Sequence, residues 1–202
     1  MEDSDNITKN NITKMVIEAL KLHYNQKNIK SRERFFKEKI LTYGVSVIEI
    51  RKIIRKTYPK LTDNGIICIF KDLVSSKIFD EKIAGIILLG YALEKKKELF
   101  FDFYLIEEAL EKHIDNWALC DTISTDVIAK LLDLNPEYIN KILPWATSKN
   151  IWKRRALIVS VIKSKKLSNR EKLFQEILNL YRGEKDPIVT KSLKWLNKEM
   201  KE

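Results

Sequence analysis

The residues of this 202-residue chain best placed to act together on a substrate are Trp117, Asp121, Arg155 and Trp195. Trp117 and Asp121, in NWALCDTIS, are four apart and therefore neighbours on one helical face, beside an apolar stripe of Cys120, Ile123, Val127 and Leu131. Arg155, in NIWKRRALI, follows 38 residues after Trp117, and Trp195, in KSLKWLNKE, a further 40 residues on. A carboxylate between aromatic faces can stabilise a developing cation and orient a water molecule. Taken singly, each residue also has a structural reading, since tryptophans anchor cores and an Asp in a first helical turn serves the macrodipole. Only as a set, in this order and spacing, do the four residues point to chemistry. Lys153, Arg154, Lys163, Lys165 and Lys166, which follow in the same stretch, fit a phosphate-facing or solvated surface. Trp145 and Trp152 flank a helix junction and are read as packing residues.

The elements that must position these residues are helices. Five glycines and four prolines are too few for the turns of an all-β protein, and apolar residues recur at helical spacing. From Phe79, residues Ile83, Ile86, Ile87, Gly90 and Leu93 share one face, with Asp80 as the expected N-cap. Start signals place helices near Ser46, Phe79, Asn116, Asn150 and Pro187, in steps of 33, 37, 34 and 37 residues. Partner helices are expected near Thr62, Glu98, Pro136 and Ser168, and two N-terminal helices over 11–24 and 31–43, with Pro144 ending its helix early. Helix pairs at this period make an all-α, HEAT-like repeat solenoid of about five pairs. The expected organisation is a single repeat domain over 1–202 with a flexible N-terminus over 1–10. Equivalent positions of stacked repeats line one surface, so the four residues should converge on a basic concave face.

Thirty-eight Lys and Arg against 28 Asp and Glu leave a net charge of +10, which draws the chain toward phosphate polyanions. A Lys-rich composition bias is the competing explanation of that charge and the less favoured of the two. Cys68 and Cys120 lie in apolar helical patterns and are expected as buried, inert thiols. His23 and His113 have no ligand-like neighbours, so neither a metal site nor a small-molecule cofactor is expected. Without a signal-peptide pattern or an apolar run long enough to span a bilayer, the expected location is the cytoplasm, with no membrane partner.

At these residues the sequence resembles the AlkD-like DNA alkylation repair family, HEAT-repeat DNA glycosylases that release N3- and N7-alkylated purines. The resemblance runs through FFKEKILTYGVSVIEIRKI, FDEKIAGIILLGYAL, IDNWALCDTIS, NIWKRRALIVSVI and DPIVTKSLKWLNKE, most of residues 35 to 200. It implies that Trp117 and Trp195 flank the damaged nucleotide, that Asp121 is the catalytic carboxylate, and that Arg155 contacts the DNA backbone near the lesion. Arg154 and Lys153 are grouped with Arg155 as DNA-binding residues. Members of that family continue for a further helix pair after the position of Trp195, whereas this sequence runs seven residues further to Glu202, so a shorter DNA surface is expected.

The resemblance implies a monomer that acts on alkylated bases in duplex DNA, associates with the nucleoid through that DNA, and does not flip the base into a pocket. An N3- or N7-alkylated purine is cationic and already a good leaving group, so the enzyme's task is to stabilise the sugar cation. The alternatives are a non-catalytic DNA or RNA binder and a protein-binding helical scaffold. Asp121 argues against both, because a pure polyanion binder has no use for a carboxylate in its cleft.

Overall fold

The computed structural model describes the backbone of residues 2–36 and 39–200 and the side chains of 11–36 and 39–200. The side chains of the N-terminal stretch expected to be flexible, 1–10, lie outside the described residues. The described chain is all-α, consistent with a helical-repeat array, and its one extended pairing is an isolated bridge between Leu41 and Ile78. It divides into two compact units, 1–95 and 96–202.

The first unit holds α1 (Glu2–Leu22), α2 (Gln26–Phe35), α3 (Val47–Thr57), α4 (Asp63–Val74) and α5 (Phe79–Lys96). Local capping sets two of these starts: Ser46 accepts the Glu49 N–H and Thr62 accepts the Gly65 N–H, each at 3.2 Å. Leu20, Ile50, Ile54, Ile69, Phe70, Leu73, Ile86 and Leu89 are fully buried in its core. The helix expected over 31–43 starts earlier, after an Asn25 cap, and stops at Phe35. Residues 41–45 instead run extended onto the start of α5.

Asp80 explains that departure. It lies inside α5 and does not cap it; its fully buried carboxylate accepts the backbone N–H groups of Tyr43 (2.7 Å) and Val45 (3.0 Å), the Thr42 hydroxyl and an Arg32 N–H. A buried charge satisfied by these four donors is stable where an unpaired one would not be. Gly44, at φ +76°, completes the turn, because a Cβ there would sit 2.3 Å from the Asn25 carbonyl oxygen.

The second unit carries every residue of the sequence-derived site. It comprises α6 (Tyr104–Lys112), α7 (Trp117–Ile123), a π-helical turn (Ser124–Ile128), α8 (Ala129–Leu134), α9 (Ile139–Ile142), α10 (Ile151–Lys163), α11 (Arg170–Leu180) and α12 (Pro187–Glu199). Pro144 falls in a 3-10 turn, Leu143–Thr147, that ends α9, as expected. The helix expected near Glu98 begins only at Tyr104: Lys97 takes a left-handed conformation (φ +57°), and Asp102 accepts the Tyr104 N–H at 2.9 Å. Helices α7, α10 and α12 start after the caps Asn116, Asn150 and Asp186, which lie 34 and 36 residues apart. The α10 helix packs against α7, the π turn and α12, and its residues Arg155–Ile162 are all buried. Trp145 is buried against Phe103 and donates its indole N–H to Glu107 (3.0 Å), the packing role expected of it.

Candidate active site

The Asn116 side chain accepts the Leu119 N–H at 3.1 Å and so fixes where α7 begins, which puts Trp117 in its first position and Asp121 one turn later. Three residues after Asp121 the helix widens into the π turn, where Ser124 donates to the Cys120 carbonyl oxygen at 2.6 Å. Such turns insert a residue into the helical register and are frequent at functional sites. Cys120, on the inward side, is fully buried, and burial raises its thiol above the ordinary range. Cys68, expected to be buried, is only half-buried.

Arg155 sits in the second turn of α10 among Ala156, Leu157 and Ile158 and is 5% exposed. A guanidinium so placed requires partners. Its Nε and Nη2 donate to the two oxygens of Asp121 at 2.7 and 2.8 Å, a side-on fork, and its Nη1 donates to the Ile188 carbonyl oxygen at 2.6 Å. One side chain thus ties α7, α10 and the first turn of α12 together. The pair is asymmetric: the Arg155 side chain is 6% exposed and that of Asp121 26%. The negative end of this fixed dipole therefore faces solvent, and each carboxylate oxygen keeps a lone pair beyond the one that arginine uses.

Trp117, one turn before Asp121, is 42% exposed. Trp195 is half-buried on α12, seven residues past Ile188, roughly 10 Å along a helix rising 1.5 Å per residue. Its indole N–H donates to Glu199 at 2.9 Å, and the Lys163 ammonium lies 4.5 Å from its ring centroid. Asp121 and Arg155 are thus in direct contact and Trp117 adjoins Asp121, whereas Trp195 joins the group through α12 and α10.

The cations grouped with Arg155 are ion-paired. Lys153 (side chain 11% exposed) reaches Glu111 at 2.5 Å and Glu107 at 3.9 Å. Arg154 (15% exposed) donates to Glu184 at 2.7 Å and to the Ser148 carbonyl oxygen at 2.7 Å. Sequence reasoning did not find these acidic partners, which lie 30 to 46 residues away, nor the contacts of Lys163 and Glu199 with Trp195.

A family model described as DNA alkylation repair enzyme matches residues 16–201. The chain belongs to the DNA alkylation repair enzyme family. No curated protein matches it closely enough to stand as a relative. Family membership points to an enzyme of DNA repair with DNA as its substrate. In a DNA alkylation repair protein, a carboxylate held rigid from behind and open in front, next to an exposed indole, can face electron-poor sugar or base atoms without moving. None of the described helices of this DNA repair protein is long and apolar enough to cross a membrane.

Proposed function

We propose that the chain is an AlkD-like DNA glycosylase that hydrolyses the N-glycosidic bond of cationic N3- and N7-alkylated purines in duplex DNA and so initiates base excision repair. The observation that carries this reading is Asp121, fixed by the Arg155 fork with its negative end outward and Trp117 beside it. Alkylation gives the purine a formal positive charge. When the C1′–N bond breaks, the bonding pair goes to the purine nitrogen, the base leaves neutral, and the positive charge passes to the deoxyribose. Asp121 stabilises that cation and accepts a hydrogen bond from the water that adds to C1′, whose surplus proton leaves to solvent. Trp117 and Trp195 offer π faces to the cationic sugar and base. Lesion choice follows leaving-group charge, with no base pocket required. On this reading the protein works as a monomer in the cytoplasm on nucleoid DNA, without a metal or small-molecule cofactor.

Arg155 acts as a positioning residue: it fixes both oxygens of Asp121, and its buried guanidinium holds the carboxylate against rotation. Purified protein incubated with methylated duplex DNA should release free 7-methylguanine faster than spontaneous depurination. Duplex binding with no release above background would make the protein a non-catalytic DNA binder.

A further inference from the structure

Lys153, Arg154 and Arg155 are paired with Glu111, Glu184 and Asp121, whereas Lys163, the last residue of α10, and Lys165 and Lys166 just beyond it are exposed. The chain there does not fray as a helix end ordinarily would. The Asp133 carboxylate, at the end of α8, accepts the Ser164 hydroxyl at 2.6 Å and the backbone N–H groups of Lys165 and Lys166 at 2.7 and 2.9 Å, all on one oxygen. Ser164 is buried while both lysines are exposed. Two ammonium groups are thus presented outward from a backbone that is already ordered, next to Lys163, which is seated on Trp195. Flexible surface lysines lose ordering entropy when they bind; these have lost the backbone part of it in folding.

From this arrangement we infer that the Asp133-clamped Lys165–Lys166 turn is a DNA phosphate-binding element of the second unit, and that Lys153 and Arg154 are structural ion-pair partners. The occupant is a nucleic-acid backbone, because two adjacent exposed cations on an ordered turn suit a polyanion that carries a charge at every phosphate. The inference rests on the DNA-repair reading above and adds to it where the strand runs past Trp195.

The experiment is a titration of full-length protein with a fluorescein-labelled undamaged duplex at 50 to 200 mM salt, beside 7-methylguanine release by the same wild-type preparation. Each phosphate contact contributes about 0.9 to the slope of log affinity against log salt, so two contacts should make the wild-type advantage over Lys165→Ala/Lys166→Ala shrink about twelvefold across that fourfold salt range. Lys153→Ala should leave the slope unchanged. Asp133→Ala gives a second, opposite-signed test: Coulomb's law alone predicts tighter binding when a carboxylate is removed, whereas loss of the clamp predicts weaker binding, rescued by Asp133→Asn, which keeps the acceptor oxygen. Identical slopes for wild type and the double lysine variant, or tighter binding by Asp133→Ala, would overturn the inference and leave the glycosylase reading standing if base release persists. Absence of any salt-dependent duplex binding by the wild type would overturn both.

Discussion

Replacing Arg155 with Ala separates a positioning arginine from a phosphate-contacting one. The side chain is 6% exposed and makes three hydrogen bonds, two to Asp121 and one to Ile188. Removing one partner of a buried ion pair costs about 3 to 5 kcal/mol. Because Asp121 is 26% exposed and water can reach it, about 2 to 4 kcal/mol is the better expectation, or a fall in Tm of about 4 to 16 °C for a chain of this size. The effect on rate follows separately. An untethered Asp121 spreads over about three χ1 wells, a factor of about three, and the loss of alignment in the occupied well adds about 1 kcal/mol or more, so single-turnover excision should fall about ten- to a hundredfold. Duplex affinity and its salt slope should change little, since the guanidinium is turned inward. Single-turnover release of 7-methylguanine below the variant's melting temperature, with a salt-dependent binding titration, measures both. Near-wild-type excision together with a salt slope reduced by about one would refute the positioning role and assign Arg155 to the DNA backbone.

Further consequences concern the frame around the site. Asn150→Ala removes a cap that accepts the Trp152 and Lys153 N–H groups and donates to the Leu110 carbonyl oxygen, and should lower stability by about 1 to 2 kcal/mol in a urea melt. Gly44→Ala meets both a left-handed backbone and the Asn25 oxygen, and should lower Tm by more than a surface substitution does. Cys120 is held protonated by burial. An unfolded thiol releases its proton near pH 8.5, so stability is intact below that pH and falls as pH rises above it, by up to about 1.4 kcal/mol per pH unit for this group. Melting temperatures from pH 8 to 10 should decline less steeply in Cys120→Ala than in the wild type.

The helix starts that mattered most were readable because capping is local: Asn116, Asn150 and Asp186 each bond to N–H groups two or three residues on, and so announce themselves in sequence. That Trp117 and Asp121 share a face was readable from their spacing of four, whereas Arg155, on another helix, could be placed beside them only through the repeat period. Asp80 was misread because its partners, Tyr43 and Val45, lie 37 and 35 residues upstream, and no local rule separates a capping carboxylate from one that clamps a distant turn. The helix expected over 31–43 failed with it, because that clamp holds 41–45 extended against a sequence of helical composition. Lys153 and Arg154 show the limit of charge counting. Their type and position fit phosphate binding, and only packing reveals that Glu111 and Glu184 already occupy them. The two exposed lysines that follow α10 had no stronger sequence signal than the paired cations before them.

The most direct test of the central claim is single-turnover excision by Asp121→Asn. The amide keeps the size of the side chain and one acceptor oxygen, but it turns an NH2 toward a guanidinium N–H that the carboxylate had accepted, so some thermal stability is lost through one leg of the fork. Below the melting transition that loss leaves the protein folded. The absent negative charge should cost about 2.7 to 4 kcal/mol in the transition state, about a hundredfold to a thousandfold in rate, by comparison with other preorganised electrostatic groups. Affinity for intact duplex should hold or improve, because a carboxylate has been removed from a surface that meets phosphates. Release of 7-methylguanine collapsing while binding persists is the predicted result; excision at near-wild-type rate by folded Asp121→Asn would contradict the account.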